Sequence, residues 1–136
     1  MPCKFVQAMD GDVILELWTG SVTLDEMMAH KQRLFADSSI KASASVLSDF
    51  TRATFSVSPE DVKKLAEMDN EPGGKSTIGR YAFLVDYGVY DEAQLFAEQV
   101  NRHGKSVIVF NSLDLAATWL GMDYATVREL LESIGT

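Results

Sequence analysis

Apolar residues alternate with polar ones along the first part of the chain and gather into continuous runs along the second, so half-wet strands should come first and fully buried ones later. From Val13 to Thr19 the alternation puts Val13, Leu15 and Leu17 on one face and Ile14, Glu16 and Trp18 on the other. This predicts a strand fully buried on the first face and partly wet on the second. Lys4 to Met9 precedes it across Asp10-Gly11, a dipeptide suited to the positive φ angles of a tight turn. The two segments are therefore expected to pair antiparallel, with Gly20 ending the second. Thr23-Leu24-Asp25-Glu26 spells a capping box and predicts a helix to about Ala36. Its inner stripe is Leu24, Met27, Met28, Leu34 and Phe35, which Lys31 interrupts unless its charged end reaches water. His30 lies beside that stripe.

Ser45 to Phe50 predicts the next strand, Thr51 to Val57 a polar loop, and Ser58-Pro59-Glu60-Asp61 a helix start: a capping serine, a proline at the first helical position, and acids at the positive end of the helix dipole. Val62, Leu65, Ala66 and Met68 give that helix its buried side, and the turn formers of Asp69 to Thr77 end it. Tyr81 to Val85 and Ser106 to Phe110 are continuous apolar runs, as expected of central strands covered on both faces. Between them a helix from Tyr90 to Arg102 turns Ala93, Phe96, Ala97 and Val100 inward, ended by Gly104, with His103 at its C-terminus. Ser112 is expected to cap a helix from Leu113 to Leu120 that Gly121 stops, and Asp123 to start a last helix reaching Ile134. Strand–helix alternation of this kind is the signature of an α/β domain.

With 136 residues, 46% of them hydrophobic, and no repeat or linker, the chain reads as a single domain, 1–136. Twenty acidic against 12 basic residues give a net charge of -8, which argues against a nucleic-acid backbone or an anionic membrane surface as partner. No apolar run approaches the ~20 residues of a membrane span and no secretory signal stands at Met1-Pro2-Cys3-Lys4, so a cytoplasmic protein without membrane insertion is expected. The single Cys3 has no disulfide partner and lies in what reads as a mobile terminus.

Little in the pattern spells chemistry. Gly74-Lys75-Ser76 resembles the end of a phosphate-binding loop, but the first glycine of that motif falls at Asp69, and a strand follows in place of a helix. No pair at metal-ligand spacing includes His30 or His103, so neither a metal nor a cofactor is expected. Asp49 and Asp86 stand at the ends of strands, where two carboxylates can divide acid and base roles or simply cap loop amides; without a histidine or cysteine nearby in sequence, the reading is non-catalytic. Ligand sites of open α/β sheets lie at the C-terminal ends of the strands, where helices leave to opposite sides. That places a candidate crevice between Asp49–Val57 and Asp86–Tyr90, with Phe50, Phe55, Tyr87 and Tyr90 as walls and Asp49, Thr51, Arg52 and Asp86 as polar groups; the alternative is that the rings are core.

Trp18-Thr19-Gly20 before Val22-Thr23-Leu24-Asp25-Glu26, then Val46-Leu47-Ser48-Asp49, Phe83-Leu84-Val85-Asp86, and Val109-Phe110-Asn111-Ser112-Leu113 running to Ala117-Thr118-Trp119-Leu120, together resemble the SpoIIAA-like family of STAS-type domains. The resemblance covers about Val6 to Leu120, within a core of residues 4–120. It implies a five-stranded mixed sheet with an N-terminal hairpin, wound with helices, and an interaction or regulatory module with an unidentified protein partner. Anti-sigma-factor antagonists of this kind are switched by phosphorylation of a serine at the start of the helix after the central strand. The corresponding positions here are Ser58 or Ser56, although the flanking aspartate and glycine of that motif are absent and Ser58 is also a helix cap. Grouping with CRAL-TRIO lipid carriers implies the alternative of a carrier or sensor of a small apolar ligand. The helix at 123–134 extends beyond the resemblance, and its stripe of Val127, Leu130, Leu131 and Ile134 must cover either its own sheet or a second subunit, with a homodimer expected.

Overall fold

The N-terminal hairpin forms as expected. Strand β1 (Cys3–Ala8) pairs antiparallel with β2 (Val13–Thr23), joined by a 3-10 turn at Met9–Gly11 in which Met9, Asp10 and Gly11 all take positive φ. The structure is a computed structural model and describes residues 2–41, 43–70, 80–86, 89–101 and 106–135, with side chains described at all of these but 68–70. Cys3, expected in a mobile terminus, is a buried residue of β1 lying opposite Trp18.

After β2 come α1 (Leu24–Ala36), β3 (Ser45–Ser56), α2 (Pro59–Asn70), β4 (Arg80–Leu84), α3 (Tyr90–Asn101), β5 (Ser106–Phe110), α4 (Leu113–Leu120) and α5 (Tyr124–Gly135). The strands lie side by side in chain order, β2 to β5 all parallel. Each parallel crossover steps the same way across the sheet. Because such crossovers are right-handed, α1, α2 and α3 fall on one face. The two cores agree: Ile14, Trp18, Val46, Phe50, Tyr81, Phe83 and Val107 pack under α1 to α3, while Val13, Leu15, Leu17, Leu47, Ala82 and Leu84 pack under α4 and α5. Among the described residues no helix is long and apolar enough to cross a membrane.

The helix starts carry the caps that the sequence spells. Thr23 accepts from the Glu26 amide while Glu26 accepts from the Thr23 amide, Ser58 and Asp61 make the same exchange at α2, and Ser112 accepts from the Leu115 amide. Gly121 ends α4 in the left-handed conformation. The stripe of α5 covers its own sheet, with Val127 and Leu131 buried against the face that holds Leu15 and Leu17.

Three further expectations fail along β2 and β3. Gly20 does not end β2, which continues to Thr23, and the loop expected at Thr51 to Val57 is instead strand as far as Ser56. The reason is a bulge. Leu17 pairs with Asp49 but Thr19 pairs with Arg52, so Trp18 faces two residues of β3, Phe50 and Thr51. The extra residue reverses the alternation, and Ala53 and Phe55 therefore join Phe50 on the face of α1 to α3. Third, the face of β2 expected to be partly wet is closed, with Ile14, Glu16 and Trp18 all buried. The loop predicted at Asp69 to Thr77 begins later, since α2 runs to Asn70; the rest of it, with Gly74-Lys75-Ser76, lies outside the described residues, as do Tyr87, Arg102, His103 and Gly104.

Candidate functional site

The inner face under α1 to α3 carries a polar cluster in the middle of its apolar core. Glu16 on β2 lies beside Phe5 of β1 and Ser48 of β3, and Cys3 lies beside Trp18, so five side chains of one sheet face converge beneath α1. From the helix His30 completes the group. The Ser48 hydroxyl donates to Glu16 Oε1 at 2.7 Å, the Trp18 indole N–H donates to the same oxygen at 3.3 Å, and His30 Nε2 meets Glu16 Oε2 at 2.5 Å. The Cys3 thiol sits 3.6 Å from that same Nε2. Trp18 and Phe5 meet the imidazole edge to face, at centroid distances of 5.0 and 6.1 Å, and fix the plane of the ring.

Cys3, Glu16 and His30 retain 5%, 4% and 3% of their exposure, so the cluster is shut off from water. Burial pulls the Glu16 carboxyl up, but the hydrogen bond and charge of His30 and the Ser48 hydroxyl outweigh it and hold the group below the ordinary glutamate value. It is a buried carboxylate, and it needs a positive counter-charge. For Cys3, burial and then the Glu16 charge push the thiol up, which keeps its proton on and makes it a poor nucleophile. The arrangement also differs from a nucleophile–base–acid relay, in which the acid and the nucleophile occupy opposite nitrogens of the ring, whereas here both stand at Nε2.

Beside the cluster opens a pocket of about 710 Å³, a figure that includes the solvent at its mouth. It is bounded by the sheet below and the three helices above, and its walls are apolar: Trp18, Met27, Leu34, Phe50, Phe55, Val62, Leu65, Tyr81, Phe83, Ala93 and Phe96. The polar groups are few and placed: Glu16, His30 and Ser48 at one end, and Lys31 and Glu92 elsewhere on the lining. Lys31 does not simply reach out to water. Its ammonium lies 5.0 to 5.6 Å from the ring centroids of Phe35, Tyr81 and Phe96, a cation held over aromatic faces.

The crevice inferred from the sequence is divided by this architecture. Phe50 and Phe55 line the pocket. Asp49 is buried and accepts from the Thr51 amide at 2.9 Å and the Thr51 hydroxyl at 2.6 Å, closing the bulge, so it caps a local amide. Thr51 and Arg52 are exposed, and the Arg52 guanidinium lies against Gly135 at the end of α5, across the sheet from the pocket. Asp86 is exposed, and Tyr90 is 45% exposed with its hydroxyl accepting from the Gln94 amide. The premise of helices diverging at the strand ends does not hold, because a sheet whose parallel strands follow one another in order has no switch point among them. Ser56 and Ser58 are both exposed, one residue either side of the pocket-lining Val57. Sequence reasoning missed Glu16, Ser48 and Cys3 altogether and left His30 without a partner. The available signal was a glutamate between Ile14 and Trp18 on a strand face that also had to meet a helix.

Comparison with solved structures places the fold. The chain is similar to an uncharacterised protein from the DUF3478 family of Shewanella loihica PV-4 with a SpoIIAA-like fold. The two share 18% identity over 87% of this chain and 91% of that one, with a TM-score of 0.55. The chain thus has a SpoIIAA-like α/β fold, and at that identity the likeness carries the fold alone. No family model and no curated protein matches the sequence.

Proposed function

We propose that this SpoIIAA-like domain is a non-catalytic binding module, a carrier or sensor for a small, largely apolar molecule bearing one hydrogen-bonding group. The observation that carries the reading is the pocket itself. Aromatic and aliphatic walls from one sheet face and three helices, with a few polar groups at one end, are the usual chemistry of small-molecule sites. Apolar walls supply affinity, and Glu16, His30 and Ser48 supply orientation.

Mass spectrometry of an organic extract of the purified protein tests this directly, with displacement of anilinonaphthalene sulfonate as the solution readout. Ala93, on α3, is buried and lines the pocket, so Ala93→Leu fills space there. A retained small molecule, or saturable probe binding, that is lost in Ala93→Leu supports the reading. Empty extracts together with probe binding indifferent to Ala93→Leu would sink it.

A second reading, a regulatory module with a protein partner, is favoured by one observation. Ser56 and Ser58 are exposed at the start of α2, beside the pocket-lining Val57. A phosphate on Ser58 would meet the favourable end of the helix dipole but also Glu60 and Asp61, and it would remove the hydroxyl that accepts from the Asp61 amide. Phosphosite mapping after growth under several conditions decides it, and the absence of modification at both serines would count against a switch.

A further inference from the structure

Cys3, Glu16 and His30 present one sulfur, one oxygen and one nitrogen within 4.8 Å of one another, all three residues buried. Two of these atoms approach the same His30 Nε2, and a ring nitrogen carries at most one hydrogen. The Nε2 hydrogen can serve Glu16 while the Cys3 thiol donates to the Lys4 carbonyl at 3.8 Å, and the 3.6 Å approach of the sulfur to Nε2 then has no hydrogen of its own. Three donor atoms of metal-ligand type, from two strands and a helix, converge in one place in the core.

We propose that Cys3, Glu16 and His30 form a mononuclear site for a borderline-soft divalent transition metal of the zinc class, set into the wall of the apolar pocket. Thiolate, imidazole and carboxylate together are the donor set of zinc, and of cobalt as its substitute. The spacing agrees on one edge. A tetrahedral ion at ~2.3 Å from sulfur and ~2.0 Å from nitrogen holds those two donors ~3.5 Å apart, and Cys3 Sγ and His30 Nε2 stand 3.6 Å apart. The Glu16 oxygen must withdraw, since 2.5 Å from Nε2 is hydrogen-bonding distance. Its second oxygen stays tied to Ser48 and Trp18 while the first moves. Charge closes as well: one thiolate, one carboxylate and one divalent cation sum to zero, the condition for burying the group. Binding releases the Cys3 thiol proton to solvent as the sulfur–metal bond forms. Among the described residues no fourth histidine, cysteine or carboxylate joins the cluster. Because Glu16 and His30 line the pocket, the remaining coordination position is open to water or to a ligand donor.

The test uses the full chain, stripped with a chelator and titrated with Co²⁺ and with Zn²⁺. Wild type is expected to take up one equivalent, to show a thiolate-to-cobalt charge-transfer band with the intense visible bands of four-coordinate cobalt, and to melt higher with zinc. Cys3→Ser, the conservative variant, should lose the charge-transfer band and bind at least 10-fold more weakly, and Ser48→Ala should lower affinity by ~10–100-fold through the orientation of Glu16. Ala93→Leu should bind metal as wild type does, which separates this inference from the pocket reading. The proposal is overturned if the stripped, folded wild type shows no saturable uptake of either ion. Uptake with unchanged affinity and spectrum in Cys3→Ser overturns it equally.

Discussion

His30→Leu, studied in the presence of a chelator, isolates what the buried carboxylate costs when its counter-charge is removed. In the folded protein Glu16 Oε1 keeps the Ser48 hydroxyl at 2.7 Å and the Trp18 N–H at 3.3 Å, but Oε2 loses its contact with His30 Nε2. Removing one member of a buried ion pair costs about 3–5 kcal/mol, because a charge is left in a medium that solvates it poorly. Domains of ordinary stability have about 5–15 kcal/mol in total, so the variant should be folded but marginal. With a urea slope of about 2 kcal/mol per molar, the midpoint should fall by roughly 2 M. Glu16→Gln keeps a carbonyl for Ser48 and Trp18 and offers an N–H toward a neutral imidazole, and should cost only about 1 kcal/mol. The decisive arm is the double variant. If charge is the cause, Glu16→Gln in the His30→Leu background should restore stability, with a coupling energy of at least 2 kcal/mol. A midpoint shift in His30→Leu corresponding to less than about 1 kcal/mol, or strict additivity in the cycle, would refute the reasoning and show the cluster to be a neutral hydrogen-bonded group.

Other outcomes follow from the same geometry. The folded Glu16 carboxyl lies below its ordinary value of 4.5, so its stabilising contribution is present above that value and is lost as pH falls through the lower folded one; the stability gap between wild type and Glu16→Gln, followed by urea titration in chelator, should narrow below pH 4.5 and not above it. Gly20→Ala should cost about 1–2 kcal/mol from its positive φ alone, because an added Cβ meets nothing within 4 Å; a much larger loss by calorimetry would reveal a packing role. Ser58→Ala should cost about 1 kcal/mol through the lost cap while Ser58→Asp keeps most of it, and equal losses in both would remove the cap as the explanation. Val127→Ala, at 0% exposure against the second face of the sheet, should cost about 2–3 kcal/mol in chemical denaturation.

What the sequence made legible was whatever is decided within a few residues. The caps at Thr23, Ser58 and Ser112 and the stop at Gly121 depend on short-range chemistry, and each stands where the pattern puts it. The extended ends of β2 and β3 were hidden because the bulge at Phe50 and Thr51 breaks the alternation by which strands are read, so Thr51 to Ser56 looked like loop. The cluster was hidden for a different reason. Glu16 is buried only because His30, from the following helix, and Ser48, from the neighbouring strand, meet it, and such contacts leave no spacing along the chain. Cys3 reads as a stray terminal thiol until pairing with β2 places it against Trp18. A charge on a strand face that must also meet a helix is the sign to look for.

The order in which the two faces of the sheet are covered bears on how the chain must be made. Helices α1, α2 and α3 alternate with the strands, so the inner face closes step by step as each strand is added. The outer face, with Leu15, Leu17, Leu47, Ala82 and Leu84, has no cover of its own until α4 and α5, which follow the last strand. On a ribosome adding roughly 5–20 residues per second, the interval between Phe110 and Gly135 is about 1–5 s, during which a nearly finished sheet leaves the apolar residues of that face uncovered. That is long compared with the time a chaperone or a neighbouring nascent chain needs to find it. A stop codon anywhere between β5 and α5 therefore leaves these residues uncovered and yields a sticky half-sandwich and not a slightly shorter domain.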